Sequence, residues 1–312
     1  MKTHELLIAI PTKDHPRHIM YYLSKVLDKA LMFQVDILIL DGSEDDVTEQ
    51  IVKNRIKEGY KNLFYKKYDK SIVLEERLMD AYVDTGYKYV WLCGDGVVLN
   101  LMKDIKIIEN EIEKRRQIIV FGQYKIQDKE YVEFTNSIDF CKDCFAQNTY
   151  FGSVILQADL VSKDLFEYCI KKYTEHAIPA LYYELFKNGE ISAVYIYQQL
   201  FFDANPYKKK SIAMKEGRTI YAFAHLFHDT IQKLPNNYNG IKKEMNRWQK
   251  GMYEWGHLWA MRVNGNFNLK IYWREKKYLK MASDKKAIIY LIIALCPYEL
   301  AKGIALIEDQ NW

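Results

Sequence analysis

The chain has 312 residues, 49% hydrophobic and 28% charged, with a formal net charge of +4. This length accommodates two domains with buried cores and excludes a short fold stapled by metals or disulfides. A mean hydropathy of −0.30 excludes a polytopic membrane protein, and so small a charge excess gives no argument for a nucleic-acid partner.

Five cysteines, at positions 93, 141, 144, 169 and 296, are odd in number and scattered. They read as reduced thiols of a cytoplasmic protein, not as a disulfide framework. The pair Cys141 and Cys144 lacks a second CxxC or His pair at metal spacing, so it reads as structural. Met1 to Glu5 leads into an apolar segment without a small-residue cleavage site, and no signal peptide is expected.

Residues 5–10, closed by Pro11, form an apolar run that suits a strand buried on both faces. From Arg17 to Leu31 the apolar positions Ile19, Tyr22, Leu23, Val26, Leu27 and Ala30 have the spacing of an amphipathic helix. Residues 35–40 form a second strand, ended by Asp41-Gly42-Ser43. Asp45 and Asp46 open another helix running to about Lys57, where carboxylates suit the positive end of the dipole. A third strand follows at 62–66, a helix from Ile72 to about Asp84, and a strand at 89–93 ended by Gly94-Asp95-Gly96. Alternation of this kind predicts an open, mostly parallel α/β sheet with right-handed crossovers. Ligands of such sheets bind beyond the carboxyl ends of the strands, so residues 11–13, 41–43 and 94–96 should meet in one crevice.

Further on, a helix is expected from Leu101 to Arg116, strands at 118–122 and 150–156, a helix from about Lys163, and a helix at 175–188 with Pro179 in its first turn. An apolar strand at 193–202 precedes Asn205-Pro206 and the Lys208–Lys210 run, the expected boundary. Residues 1–204 thus read as one α/β domain and residues 205–312 as a mostly helical module. Trp248, Trp255, Trp259 and Trp273 lie in that module, as does the ten-residue apolar run 287–296. A bilayer span needs about 20 apolar residues. A helix packed in the protein is the simpler reading of the run, and attachment to a membrane surface is the alternative.

Neither a P-loop nor a GxGxxG after the first strand is present. The crevice offers instead Asp41 and Asp95 at two strand ends and Arg77 on the helix between them. Strand-end carboxylates can bind a ribose, a base edge or a divalent cation on a diphosphate, and arginine can neutralise phosphate oxygens. Against this, a lone Asp after a strand is most often a turn residue, and an Arg on an amphipathic helix is most often a surface ion-pair member.

Residues 8–13 (Ile-Ala-Ile-Pro-Thr-Lys), 39–48 and the stretch from Glu76-Arg77-Leu78 to Cys93-Gly94-Asp95 resemble, in that order, the motifs of family-2 glycosyltransferases with the GT-A fold. The resemblance covers about the first hundred residues and implies transfer of a sugar from a nucleotide sugar, usually with inversion. It implies that Pro11 and Thr12 line the nucleoside, Asp41 binds the base with Ser43 in the same turn, and Arg77 lies near the diphosphate. Asp95, between Gly94 and Gly96, would bind ribose or metal.

The sequence departs from the family after Asp95, where Gly96 and Val97 stand in place of the last carboxylate of the DxD motif. A need for manganese or magnesium is therefore open. The family's base lies around a hundred residues beyond DxD, and Glu175, His176 and Glu184 occupy that window; Glu175 and His176, just ahead of Pro179, are favoured. Residues 150–153 are expected to floor the acceptor site. The reading implies a UDP-sugar donor, an acceptor that is a saccharide, lipid-linked sugar or glycoprotein of a bacterial surface glycan, and a cytoplasmic enzyme with contact to the inner membrane face and association with copies of itself. The rivals are an inactive, glycan-binding scaffold and an S-adenosylmethionine-dependent methyltransferase, the latter suggested by Leu92 to Gly96.

Overall fold

The apolar runs and amphipathic helices of the first hundred residues fold, in the computed structural model, as successive strand–helix units. Residues 5–83, 85–145, 147–198, 202–207, 220–247, 255–282 and 285–309 are described; the Lys208–Lys210 run and Trp248 lie outside them. The chain forms two compact units, Met1–Lys208 and Lys209–Trp312.

In the first unit β1 (Leu6–Thr12), α1 (Pro16–Met32), β2 (Asp36–Asp41), α2 (Val47–Lys57), β3 (Leu63–Lys67), α3 (Leu74–Tyr82) and β4 (Tyr89–Leu92) follow one another. Every residue of β1 and β4 is buried, as expected of central strands covered on both faces. Pro11 continues β1 rather than closing it, opposite Leu40 in register. Pro16 begins α1, where its missing N–H costs nothing. The helix ends before Gln34, which adopts a left-handed φ of 55°. Its buried face of Ile19, Tyr22, Leu23, Val26, Leu27 and Ala30 joins Ile8, Ile10, Ile37 and Ile39 in one core cluster. Truncating any one of the leucines to alanine would cost about 2–5 kcal/mol.

After β4 come β5 (Val97–Leu99), α4 (Leu101–Glu113), β6 (Ile118–Gly122), β7 (Tyr131–Asn136), α5 (Ser137–Cys144), β8 (Val154–Gln157), α6 (Lys163–Tyr173), α7 (Ala177–Leu185), β9 (Glu190–Tyr197) and β10 (Phe202–Ala204). Eight strands form one sheet in the order β3-β2-β1-β4-β8-β6-β9-β7. The β3-β2-β1-β4 half is parallel throughout. β8 inserts antiparallel between β4 and β6, β6 pairs with β9 in parallel, and β7 closes the edge antiparallel. The sheet is mixed, with its parallel half on the side of the expected crevice.

The strand expected at 150–156 starts only at Val154. Gly152, with φ of 100°, sits in a turn; its N–H donates to the Leu92 carbonyl and its own carbonyl accepts from Trp91 Nε1. β5 and β10 pair antiparallel as a separate ribbon, which carries the chain to Asn205.

The second unit has its own core, including Leu258, Trp259, Phe267, Ile271, Tyr290 and Ile293. Glu275, fully buried on helix Leu269–Ala282, is paired with His225 and Arg274, as a charge removed from water must be. Helix Ala287–Leu295 buries Tyr290, Ile293 and Ala294 and exposes Ile288, Ile292 and Leu295 by more than half. Among the described residues no single helix is long and apolar enough to cross a membrane.

Candidate functional site

The parallel register places Thr12 beside Asp41, and β4 runs alongside β1 in the same direction. The ends of β1, β2 and β4 therefore emerge at one edge. Thr12 Oγ1 donates to Asp95 Oδ2 at 2.7 Å across 83 residues of sequence, which joins the first and third expected segments directly.

The second segment is joined through a relay of hydrogen bonds. Ser43 donates to Asp41 Oδ1 from its backbone N–H at 2.8 Å and from its hydroxyl at 2.5 Å. The Ser43 hydroxyl in turn accepts from the Asp14 N–H at 2.8 Å. Asp14 has a left-handed φ of 56°, a conformation that aspartate tolerates better than most residues. Tyr65 donates its phenol to Asp41 Oδ2 at 2.8 Å; burial and then Asp41 push the phenol's pKa up, so it stays a donor. Asp41 is fully buried, and both its oxygens are engaged within the protein. The carboxylate expected to meet the base here fixes the turn that would carry the ligand.

Arg77 also lies beneath the surface, at 4% exposure. Its Nη1 donates to the carbonyls of Thr12, at 2.7 Å, and Leu40, at 3.2 Å, and so clamps the ends of β1 and β2. Burial draws the pKa of its guanidinium down, against the opposing pull of Asp41. Gly42 makes the clamp sterically feasible, because a Cβ there would lie 2.6 Å from Nη1.

Asp95 is the most connected group at the edge. Besides Thr12, its carboxylate meets His15 Nδ1 at 3.0 Å and His18 Nδ1 at 3.5 Å. The two imidazoles stand 4.4 Å apart at 33°. Asn205, delivered by the β5–β10 ribbon, donates through Nδ2 to the carbonyls of His18 and Asp95 and through its backbone N–H to that of Gly96. His18 Nε2 lies 2.8 Å from the Tyr207 carbonyl. Gly94 has room for close backbone approach, with Phe151 the nearest side chain to a Cβ built there. The structure thus holds Thr12, Ser43, Asp41, Arg77, Gly94, Asp95 and Gly96 at one strand-end edge.

The acid–base candidates separate. Glu175 is exposed in the turn before α7, and its charge helps raise the pKa of Glu75, behind the larger effect of burial. That interaction ties Glu175 to the first turn of α3, the helix that carries Arg77. His176 precedes α7; burial pushes its pKa down to about 4, so the ring is neutral at physiological pH. Glu184 is buried and receives Lys172 at 2.9 Å and the Tyr173 hydroxyl at 2.5 Å. It is committed to the contact between α6 and α7. Tyr150 of the expected acceptor floor is 55% exposed, whereas the Ser153 hydroxyl donates to the Tyr150 carbonyl at 2.6 Å.

Sequence reasoning missed His15, His18 and Asn205. The HxxH spacing at the start of α1 was the available signal for the histidines. Nothing local marked Asn205, whose role depends on the pairing of two three-residue strands.

No protein-family model matches the chain, and no curated protein matches it. Solved structures match by shape. S. aureus TarS 1–349 has a TM-score of 0.55 at 9% identity, covering 99% of this chain and 92% of that one. The longer S. aureus TarS structure gives 0.53 at 12% identity, covering 93% of this chain and 52% of its own. The mannosyltransferase PcManGT from Pyrobaculum calidifontis, solved with GDP-Man and Mn2+, gives 0.53 at 11% identity over 98% of this chain and 84% of its own. These neighbours are GT-A-type glycosyltransferases, and the fold of this chain is GT-A-like.

Proposed function

We propose that the protein is a glycosyltransferase that moves a sugar from a nucleotide sugar to an acceptor hydroxyl with inversion, in the manner of family-2 enzymes. The observation that carries this reading is the joining of Thr12, Asp41 and Asp95 at the carboxyl edge of a parallel half-sheet, in a GT-A-like fold. A donor laid on that edge would meet the backbone of residues 11–14, the turn at Gly42 and Ser43, and the glycine-flanked Asp95. Arg77 and Asp41 hold this platform in place from below.

In the transfer the acceptor oxygen attacks the anomeric carbon, and the bond from that carbon to the diphosphate oxygen breaks. The nucleoside diphosphate leaves with the bonding electrons. Glu175, with the neutral His176 beside it in sequence, takes the acceptor proton. A divalent ion, manganese or magnesium, would be held at Asp95 and would offset charge on the departing diphosphate. We read the donor as UDP-linked and the acceptor as a saccharide, lipid-linked or glycoprotein precursor of a surface glycan made on the cytoplasmic side. The exposed Ile288, Ile292 and Leu295, next to Lys285 and Lys286, suit an anionic membrane surface; association with further copies belongs to the same proposal.

The test is donor hydrolysis across UDP-, GDP- and dTDP-sugars, which needs no acceptor, with wild type and Asp95→Ala. Hydrolysis of one donor, lost in a folded Asp95→Ala, supports the reading. Binding of S-adenosylmethionine instead would favour a methyltransferase, and binding of glycan without nucleotide would favour a scaffold.

A further inference from the structure

We infer that His15, His18 and Asp95 form a binding site for a first-row transition-metal ion, with one nitrogen from each imidazole and one carboxylate oxygen as protein ligands. The ion's role in transfer rests on the function proposed above; the existence of the site does not. One ligand atom from each residue lies within 4.8 Å of the others.

The geometry of His18 supplies an independent argument. Its Nε2 is 2.8 Å from the Tyr207 carbonyl oxygen, which can only accept, so the proton sits on Nε2. Its Nδ1 faces Asp95 Oδ1, 3.5 Å away. An imidazole nitrogen and a carboxylate oxygen facing each other at this separation can ligate one ion placed between them. The bond from Nε2 to a backbone carbonyl is also what a metal-bound histidine makes with its second nitrogen, fixing tautomer and ring orientation. Asp95 is oriented in the same way by the Thr12 hydroxyl at 2.7 Å.

The donor set decides the class of ion. Two imidazoles and a carboxylate suit manganese, iron, cobalt or zinc, whereas magnesium and calcium favour all-oxygen sites. His15 is half exposed, His18 and Asp95 mostly buried, so the site is closed on the protein side and open to solvent at His15. Three protein ligands with an open side is the arrangement of sites that accept a further ligand. The histidines at the start of α1 would supply what the missing carboxylate after Asp95 does not.

The full-length protein, stripped of metal by chelator dialysis, is titrated with Co2+, Zn2+, Mn2+ and Mg2+ by equilibrium dialysis, without any nucleotide. Visible absorption of the cobalt form reports nitrogen ligation. The expected result is one equivalent of cobalt or zinc, bound at least about tenfold more tightly than magnesium. His15→Gln, His18→Gln and Asp95→Asn should each weaken it by about tenfold or more. His15→Gln, at the exposed position, is checked for fold by circular dichroism and keeps the test valid should His18→Gln unfold. Binding no tighter for cobalt than for magnesium, or cobalt binding unchanged in both histidine variants, overturns the inference. Because no donor is present, a silent hydrolysis screen and an absent metal site are separate failures.

Discussion

Gly42→Ala probes the clamp on which the whole strand-end edge rests. A Cβ at this position would lie 2.6 Å from Arg77 Nη1 and 2.8 Å from Cζ. Ordinary contact is about 3.5–4.0 Å, so the guanidinium would have to retreat by roughly 1 Å. Its bonds to the Thr12 and Leu40 carbonyls, now 2.7 and 3.2 Å, would then exceed hydrogen-bonding range. Bonds to a charged donor contribute about 1.5–3 kcal/mol each, and partial relaxation brings the expected cost to about 2–4 kcal/mol. The assay is urea denaturation followed by circular dichroism, with hydrogen exchange of the β1 and β2 amides as the local readout. The same substitution in an Arg77→Met background meets a flexible thioether and should cost much less, so the double-mutant cycle should show a coupling above about 1 kcal/mol. A cost below about 0.5 kcal/mol for Gly42→Ala, or an equal cost in both backgrounds, would refute the clamp.

Tyr65→Phe removes the phenol that donates to Asp41 Oδ2 and should destabilise the protein by about 1–3 kcal/mol, measured by the shift in urea midpoint. His176 has its folded pKa depressed by burial to about 4, so its contribution to stability is complete above the unfolded value of about 6.5 and is lost as pH falls towards about 4. His176→Gln should therefore flatten the stability profile across that window, and an unchanged slope would remove His176 as its source. Replacing the exposed Ile292 by Asp should lower cosedimentation with anionic vesicles several-fold while leaving the melting curve of the protein intact; equal sedimentation of both forms would exclude this face as the contact.

The strands β1, β2 and β4 were legible because each is an apolar run stopped by turn-forming residues, and a fully buried parallel strand leaves that trace. β7 left none: only Phe134 along Tyr131–Asn136 is buried, as befits an edge strand. β5 and β10 were too short to register, although they bring Asn205 to Asp95. The insertion of β8 between β4 and β6 was illegible as well, because strand order depends on crossovers and not on any local pattern. At the site, the segments that meet were readable from where the strands end, but the depth of each side chain was not. Asp41 and Arg77 look in sequence like ligand contacts, and the structure places both under the turn. His15 and His18 were hidden because His15 lies ahead of α1, and His18 shares the buried face of that helix, where a histidine reads as a packing residue.

The central claim is that the loops after β1, β2 and β4 form a single nucleotide-binding edge. Hydrogen exchange of the full-length protein with saturating UDP or GDP, with manganese present, tests it directly. The account predicts protection of residues 11–18, 42–44 and 94–97 together, reduced in Asp95→Asn. Protection confined to one of these segments, or found only in the second unit, would contradict it.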